Sequence, residues 1–182
     1  MFILGSGSAA RYDLMVSVGL EPDKILKPAI DERTLVNENP VDYVKRMALE
    51  KSTVLEVGHN ELLLTADTIV VASRKILHKT FDVAEAGKHL ETLSNRRHAV
   101  FTSFCIKWKG SLKVTTVRTV LKMRKVCRKE ITQYLKSDEW RGKAGGYSIQ
   151  GKAKCFFPFI SGCYSNVVGL PIPKFINVLK GI

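Results

Sequence analysis

The hydrophobic positions fall into short runs, and the most pronounced, Leu62 to Val71, is an apolar, β-branched stretch that predicts a buried strand. One carboxylate, Asp67, lies in its middle. A charge in such a run is costly unless it is paired, hydrogen-bonded or bound to a metal. Either Asp67 has a partner, or the strand stops near Thr65 and Asp67 forms a local Asx turn. Upstream, Phe2-Ile3-Leu4 predicts a short strand and Gly5-Ser6-Gly7-Ser8 a turn. Ser8 is placed to cap a helix over Ala9 to Val18, which Gly19 stops. Pro22 to Thr34 reads as polar connection. Asn39 then caps and Pro40 opens a second helix, whose inward stripe reads Val41, Val44, Ala48 and Leu55, with Lys51 on the same stripe.

Downstream, Ser73-Arg74-Lys75 predicts a turn and Ile76-Leu77 a return strand, a hairpin that leaves Lys79 near its end. Asp82 and Glu85 have the spacing of a capping box for a helix carrying Val83, Ala86, Leu90 and Leu93. Two further strands are predicted, His98 to Trp108 and Thr115 to Met123, followed by an amphipathic helix over Arg128 to Leu135. Lys143 to Gly151 is glycine-rich and permits close backbone approach. Phe156 to Ile160 contains Pro158, which restricts it to an edge strand or bulge, and a last helix runs from Pro173 through Leu179. Helices and strands alternate in the first half while strands dominate the middle, which gives an α/β class with a mixed sheet and helices on its faces. The length of 182 residues suits a single domain, 1–182.

Composition changes the picture little: 45% hydrophobic and 25% charged residues are ordinary for a globular chain and argue against disorder. No apolar stretch approaches the ~18 residues that span a bilayer, and Met1 to Ser8 has neither a basic segment nor a long apolar one, so a cytoplasmic protein is expected. The cysteines at 105, 127, 155 and 163 have no metal-ligand spacing and read as separate reduced thiols. A net charge of +12 favours a polyanionic partner, nucleic acid or nucleotide phosphates. His59 and His98 read as surface or capping residues and Trp108 and Trp140 as packing, while Tyr147 has stacking on a base and a structural role both open to it.

The strand, Gly/Ser turn and helix at the N-terminus aim backbone N–H groups and a positive helix end at one spot, which suits a phosphate, and Arg11 adds a cation one turn in. Lys51 on its apolar stripe either snorkels to water or projects into a site.

Several blocks occur in one order: Leu4-Gly5-Ser6-Gly7-Ser8-Ala9-Ala10-Arg11, Asp31-Glu32-Arg33, Ala48-Leu49-Glu50-Lys51, Thr65-Ala66-Asp67-Thr68, Leu77-His78-Lys79, Lys143 to Gly151, and Ser165 to Pro171. Together they resemble the Maf (septum formation inhibitor) family of nucleoside triphosphate pyrophosphatases over nearly the whole chain. The resemblance implies an elongated mixed β-sheet flanked by helices, related to the inosine triphosphatase fold, with two lobes around a cleft, and a homodimer. It implies hydrolysis of a nucleoside triphosphate to the monophosphate and pyrophosphate with a divalent metal, Mg²⁺ or Mn²⁺. Asp67 matches the catalytic carboxylate; Ser6, Ser8 and Arg11 match the phosphate loop; Glu32, Lys51 and Lys79 match the other substrate-binding positions. Asp67 and Glu32 are the carboxylates offered to the metal. The Ala-Asp-Thr and Ile-Gln-Gly blocks look like the dTTP/UTP-preferring branch, which makes Thr68 and Gln150 candidates for base selection.

Ala9-Ala10-Arg11 departs from the family's Pro-Arg-Arg, so Ala10 replaces an arginine tied to substrate choice and opens a preference for modified pyrimidine nucleotides, a house-cleaning role. Arg74 stands for a turn glycine and Thr80 for a proline. The rival reading, a nucleic-acid-binding or cell-division regulatory protein without catalysis, calls for an open basic stripe with stacking aromatics. Carboxylates among the matched cations, Asp67 and Glu32, oppose it.

Overall fold

A computed structural model describes residues 1–182. Seven strands form one mixed sheet, accompanied by six helices. Strand β1 (Phe2–Gly5) runs parallel to both of its neighbours, β2 (Lys24–Ile25) and β3 (Leu62–Ala72). Strand β4 (Lys75–Leu77) pairs antiparallel with β3. The order continues from β3 through β5 (Arg97–Trp108) and β6 (Ser111–Lys122) to β7 (Phe159–Ser161), an edge strand antiparallel to β6. The helices are α1 (Ala9–Val16), α2 (Pro40–Thr53), α3 (Val83–Leu93), α4 (Arg128–Leu135), α5 (Tyr164–Val168) and α6 (Ile172–Leu179). No helix is long and apolar enough to cross a membrane.

The chain divides into two compact units. The first comprises Met1–Thr68, Thr102–Val117 and Gly169–Ile182. Its apolar cluster joins Leu4, Met15, Leu64, Ala66, Phe104, Ile106, Leu170 and Phe175, with the Phe104 and Phe175 rings edge to face at 5.9 Å. Because strand side chains alternate, Leu64 and Ala66 enter this cluster while Leu63, Thr65 and Asp67 point to the opposite face. There α2 packs, and the Thr65 hydroxyl donates to the Ala48 carbonyl at 2.7 Å. Gly5 is required beside this contact, since a Cβ on it would stand 2.6 Å from Thr65 Cγ2.

The second unit comprises Ile69–Phe101 and Arg118–Val168. Its cluster gathers Leu90 and Leu93 from α3, Ile131 and Tyr134 from α4, and Trp140, Tyr147, Ile149 and Phe156 against Val70, Val100 and Leu121. The glycine-rich stretch folds tightly onto this core: Gly145, at φ +70°, would bring a Cβ to 3.0 Å from Val70.

Several expectations are corrected. Helix α1 ends at Val16 rather than Val18. The polar connection from Pro22 contains β2, made a strand by its pairing with β1 and flanked by the bonds Asp23 N–H to Phe2 O and Leu26 N–H to Leu4 O. The inward face of α2 is Tyr43, Val44, Met47, Ala48 and Lys51; Val41 is 39% exposed and Leu55 lies beyond the helix. Strand β6 begins four residues early, at Ser111, because Lys109 and Gly110 take positive φ and reverse the chain directly from β5. The same geometry at Ser73 and Arg74 makes the β3–β4 turn, so Arg74 occupies a position that favours glycine. Helix α5 was not anticipated. The capping box of α3 is half formed: Asp82 accepts the Glu85 N–H at 2.8 Å, but the Glu85 carboxylate accepts the Thr80 hydroxyl instead of reaching back to Asp82. His98 is no surface residue; it is buried, with Nε2 2.9 Å from the Tyr147 hydroxyl. Tyr147 is itself buried against Phe157 and takes the structural role.

Candidate active site

Strand β3 runs unbroken through Asp67, so the Asx-turn alternative falls and the carboxylate needs a partner. The partner is Lys51. Asp67 is 3% exposed, and its Oδ1 lies 2.7 Å from Lys51 Nζ. The same ammonium lies 2.7 Å from Glu32 Oε1, so Lys51 bridges two carboxylates. A buried ion pair is favourable only with such close, hydrogen-bonded geometry. Helix α2 delivers Lys51 because Asn39 caps its start, accepting from Val41 and Asp42 N–H, and because the Thr65–Ala48 bond fixes it one turn before the lysine.

On the other side of β3, Arg11 is 6% exposed and uses three nitrogens on three acceptors. Nε donates to the Gly169 carbonyl at 2.8 Å, Nη1 to Ser6 Oγ at 2.9 Å and Nη2 to Thr68 Oγ1 at 3.0 Å. Thr68 Oγ1 in turn lies 2.9 Å from Thr102 Oγ1. Burial lowers the Arg11 pKa, opposed by the negative charges of Asp67 and Glu32, which places both carboxylates within its electrostatic reach. Ser6 Oγ also accepts the Ser8 N–H at 3.3 Å, and Ser8 caps α1 by accepting the Arg11 N–H. The turn is thereby held against the N-terminus of an eight-residue helix. Ala10 is half-buried in the first turn of α1.

The first unit thus brings together Ser6, Ser8, Ala10, Arg11, Glu32, Lys51, Asp67 and Thr68. Lys79 and Gln150 belong to the second unit, both exposed; Lys79 bridges to Ala144 at the start of the glycine-rich stretch that ends in Gln150-Gly151. Sequence reasoning missed three participants of the first unit: Thr102, the Gly169 carbonyl and Tyr43, whose hydroxyl donates to the Glu32 carbonyl at 2.7 Å. Only Gly169 left a signal, as part of the Ser165 to Pro171 block.

A mixed sheet whose first parallel strand ends in a Gly/Ser turn under a capped helix, beside a buried Asp67–Lys51 pair that the half-exposed Glu32 carboxylate joins, defines an α/β protein with the kind of centre that suits phosphate groups. Within that class, the chain belongs to the Maf family: the family described as Maf-like protein matches residues 1–182. It is 41% identical over 180 residues to a dTTP/UTP pyrophosphatase of Roseobacter denitrificans, covering 99% of this chain and 96% of the relative. It is 45% identical over 183 residues to a nucleoside triphosphate pyrophosphatase of Neorickettsia sennetsu, covering 100% and 88%. A dTTP/UTP pyrophosphatase of Wolbachia sp. subsp. Drosophila simulans is 41% identical over 173 residues, covering 93% and 87%.

Proposed function

We propose that this chain is a nucleoside triphosphate pyrophosphatase that hydrolyses dTTP, UTP or modified pyrimidine triphosphates to the monophosphate and pyrophosphate. The observation that carries the reading is Asp67, buried in a β-strand yet held in register by Lys51 and, through it, Glu32. The relatives named dTTP/UTP pyrophosphatase, at about two fifths identity over almost the whole chain, support the pyrimidine preference. Thr68 and Gln150 are the residues assigned to base selection, and Ala10 opens room for modified bases.

In this reading the Asp67 carboxylate accepts a proton from a water, whose oxygen forms the new bond to the α-phosphorus. The bond from that phosphorus to the bridging oxygen breaks, and the electron pair leaves with pyrophosphate. Lys51 fixes the orientation of Asp67 before substrate arrives, so little reorganisation is needed during reaction. The Ser6 to Ser8 turn and the α1 N-terminus receive phosphate oxygens, with Arg11 behind them stabilising negative charge. Lys79 is assigned to neutralise the departing pyrophosphate.

A divalent cation fits the residues present. Arg11 and Lys51 are balanced by Asp67 and Glu32, so an arriving triphosphate brings negative charge that the centre does not already match. No group of three or more His, Cys, Asp or Glu forms a metal cage, and Mg²⁺ ordinarily needs only one or two carboxylates with substrate phosphates and water. Asp67 and Glu32 would hold it, and its role when bound is to neutralise phosphate charge and make bound water more acidic.

The test is Asp67→Asn, assayed with UTP, dTTP and modified pyrimidine triphosphates in Mg²⁺ or Mn²⁺, with pyrophosphate resolved from orthophosphate. Removing the general base should lower kcat by ~10²–10⁴-fold with the circular dichroism spectrum unchanged. Turnover near the parent level, or orthophosphate as the first product, would contradict the proposal.

A further inference from the structure

Glu32 lies on a stretch without regular secondary structure: the last strand bond before it is Leu26 N–H to Leu4 O, and the next turn closes with Glu38 N–H to Leu35 O. An exposed irregular segment of this kind is among the most mobile parts of a protein unless something holds it. Helix α2 supplies the hold. The buried Tyr43 donates its hydroxyl to the main-chain carbonyl of Glu32 at 2.7 Å, and Arg46 Nη2 donates to the next carbonyl, Arg33 O, at 3.0 Å. Arg46 is fixed in turn by Glu38, through Nε at 2.6 Å and Nη2 at 2.7 Å, and by Glu50 at 3.1 Å, and it lies over the Tyr43 ring. Glu38 Oε2 also accepts the Leu35 N–H, tying the far end of the segment to the same arginine.

Tyr43, Arg46, Met47, Glu50 and Lys51 stand at helical spacings of three and four, so one face of α2 both presents the ammonium and fixes the chain that carries its second carboxylate. We propose that Tyr43 and Arg46 are positioning residues, a clamp on the consecutive carbonyls of Glu32 and Arg33 that keeps the Glu32 carboxylate on Lys51. This rests on the proposed role of Glu32 in the pyrophosphatase reaction. A carboxylate on a loose loop would share the Lys51 ammonium only part of the time; the clamp makes the bridge permanent before substrate or metal arrives.

The test uses Tyr43→Phe, which keeps the ring and removes the hydroxyl, alone and combined with Glu32→Gln. Two readouts are taken on the full chain. In hydrogen exchange, peptides spanning residues 31–38 should exchange several-fold faster in Tyr43→Phe while β3 and the body of α2 keep their parent rates. In kinetics, Tyr43→Phe should lower kcat/KM several-fold in the parent background and cause no further loss in Glu32→Gln. Unchanged exchange over 31–38 overturns the clamp. Equal losses from Tyr43→Phe in both backgrounds overturn it as well, because they show an effect that does not pass through Glu32. Should Glu32→Gln itself retain full activity, the role given to Glu32 fails, and the exchange readout still decides whether the clamp exists.

Discussion

Arg11 makes its polar contacts within the fold. Its fork ties together Ser6, Thr68 and Gly169, three points far apart in sequence, and only a planar guanidinium can serve all of them at once. Its role in the fold is therefore to hold the turn. His98 shows the opposite condition. Its Nε2 meets Tyr147, but its buried Nδ1 has no hydrogen-bond partner, and burial holds its pKa down to about 4. An unfolded histidine titrates near 6.5, so between about pH 6.5 and pH 4 the unfolded chain binds a proton that the folded chain does not. The contribution of neutral His98 to stability is thus complete above pH 6.5 and falls away as the pH drops towards 4, by about 3 kcal/mol in total. Urea titrations of the parent and His98→Phe across that range should diverge with falling pH, the parent losing more. Parallel profiles would show that His98 does not titrate between the two states.

At the scale of elements, what the chain announced and what it concealed divide by range of interaction. Strand β3 was legible because ten residues of its own repeat the signal, and α2 because Asn39-Pro40 marks its start. Strand β2 was not, since Lys24 and Ile25 have no strand pattern and become one only by pairing with Ile3 and Leu4. The inward face of α2 was assigned to Val41, whereas Tyr43 and Met47 are buried there; a tyrosine whose hydroxyl finds a carbonyl is as good a core residue as a valine. Helix α3 illustrates a local rule partly overruled: Thr80 takes the Glu85 carboxylate, leaving Asp82 as the cap. Asp82→Ala should destabilise the chain by about 1 kcal/mol, lowering the thermal midpoint by roughly 2–4 °C for a protein of this size. An unchanged midpoint would mean that Thr80 and Glu85 sustain the helix start alone.

At the scale of the molecule, a charge of +12 made a polyanionic partner legible without distinguishing nucleic acid from nucleotide. The distinction lay in two carboxylates, whose ordered blocks, with Lys51 and the Ser6 to Arg11 turn, pointed to a site. The geometry around them could not be read in advance. That Lys51 bridges Asp67 to Glu32, that Arg11 reaches Gly169 across 158 residues of sequence, and that Thr68 leans on Thr102 are all contacts between distant segments. Each depends on the completed sheet. The two apolar clusters likewise both draw on β3 and β5, at different registers, so no single stretch of the chain reveals where one unit ends.

In the proposed reaction a water placed by Asp67 attacks the α-phosphorus of a nucleoside triphosphate. Hydrolysis of UTP in water enriched in oxygen-18, followed by mass spectrometry of both products, tests it directly. The heavy oxygen is expected in UMP, with none in the pyrophosphate. Label in the pyrophosphate would place the attack at the β-phosphorus and contradict it.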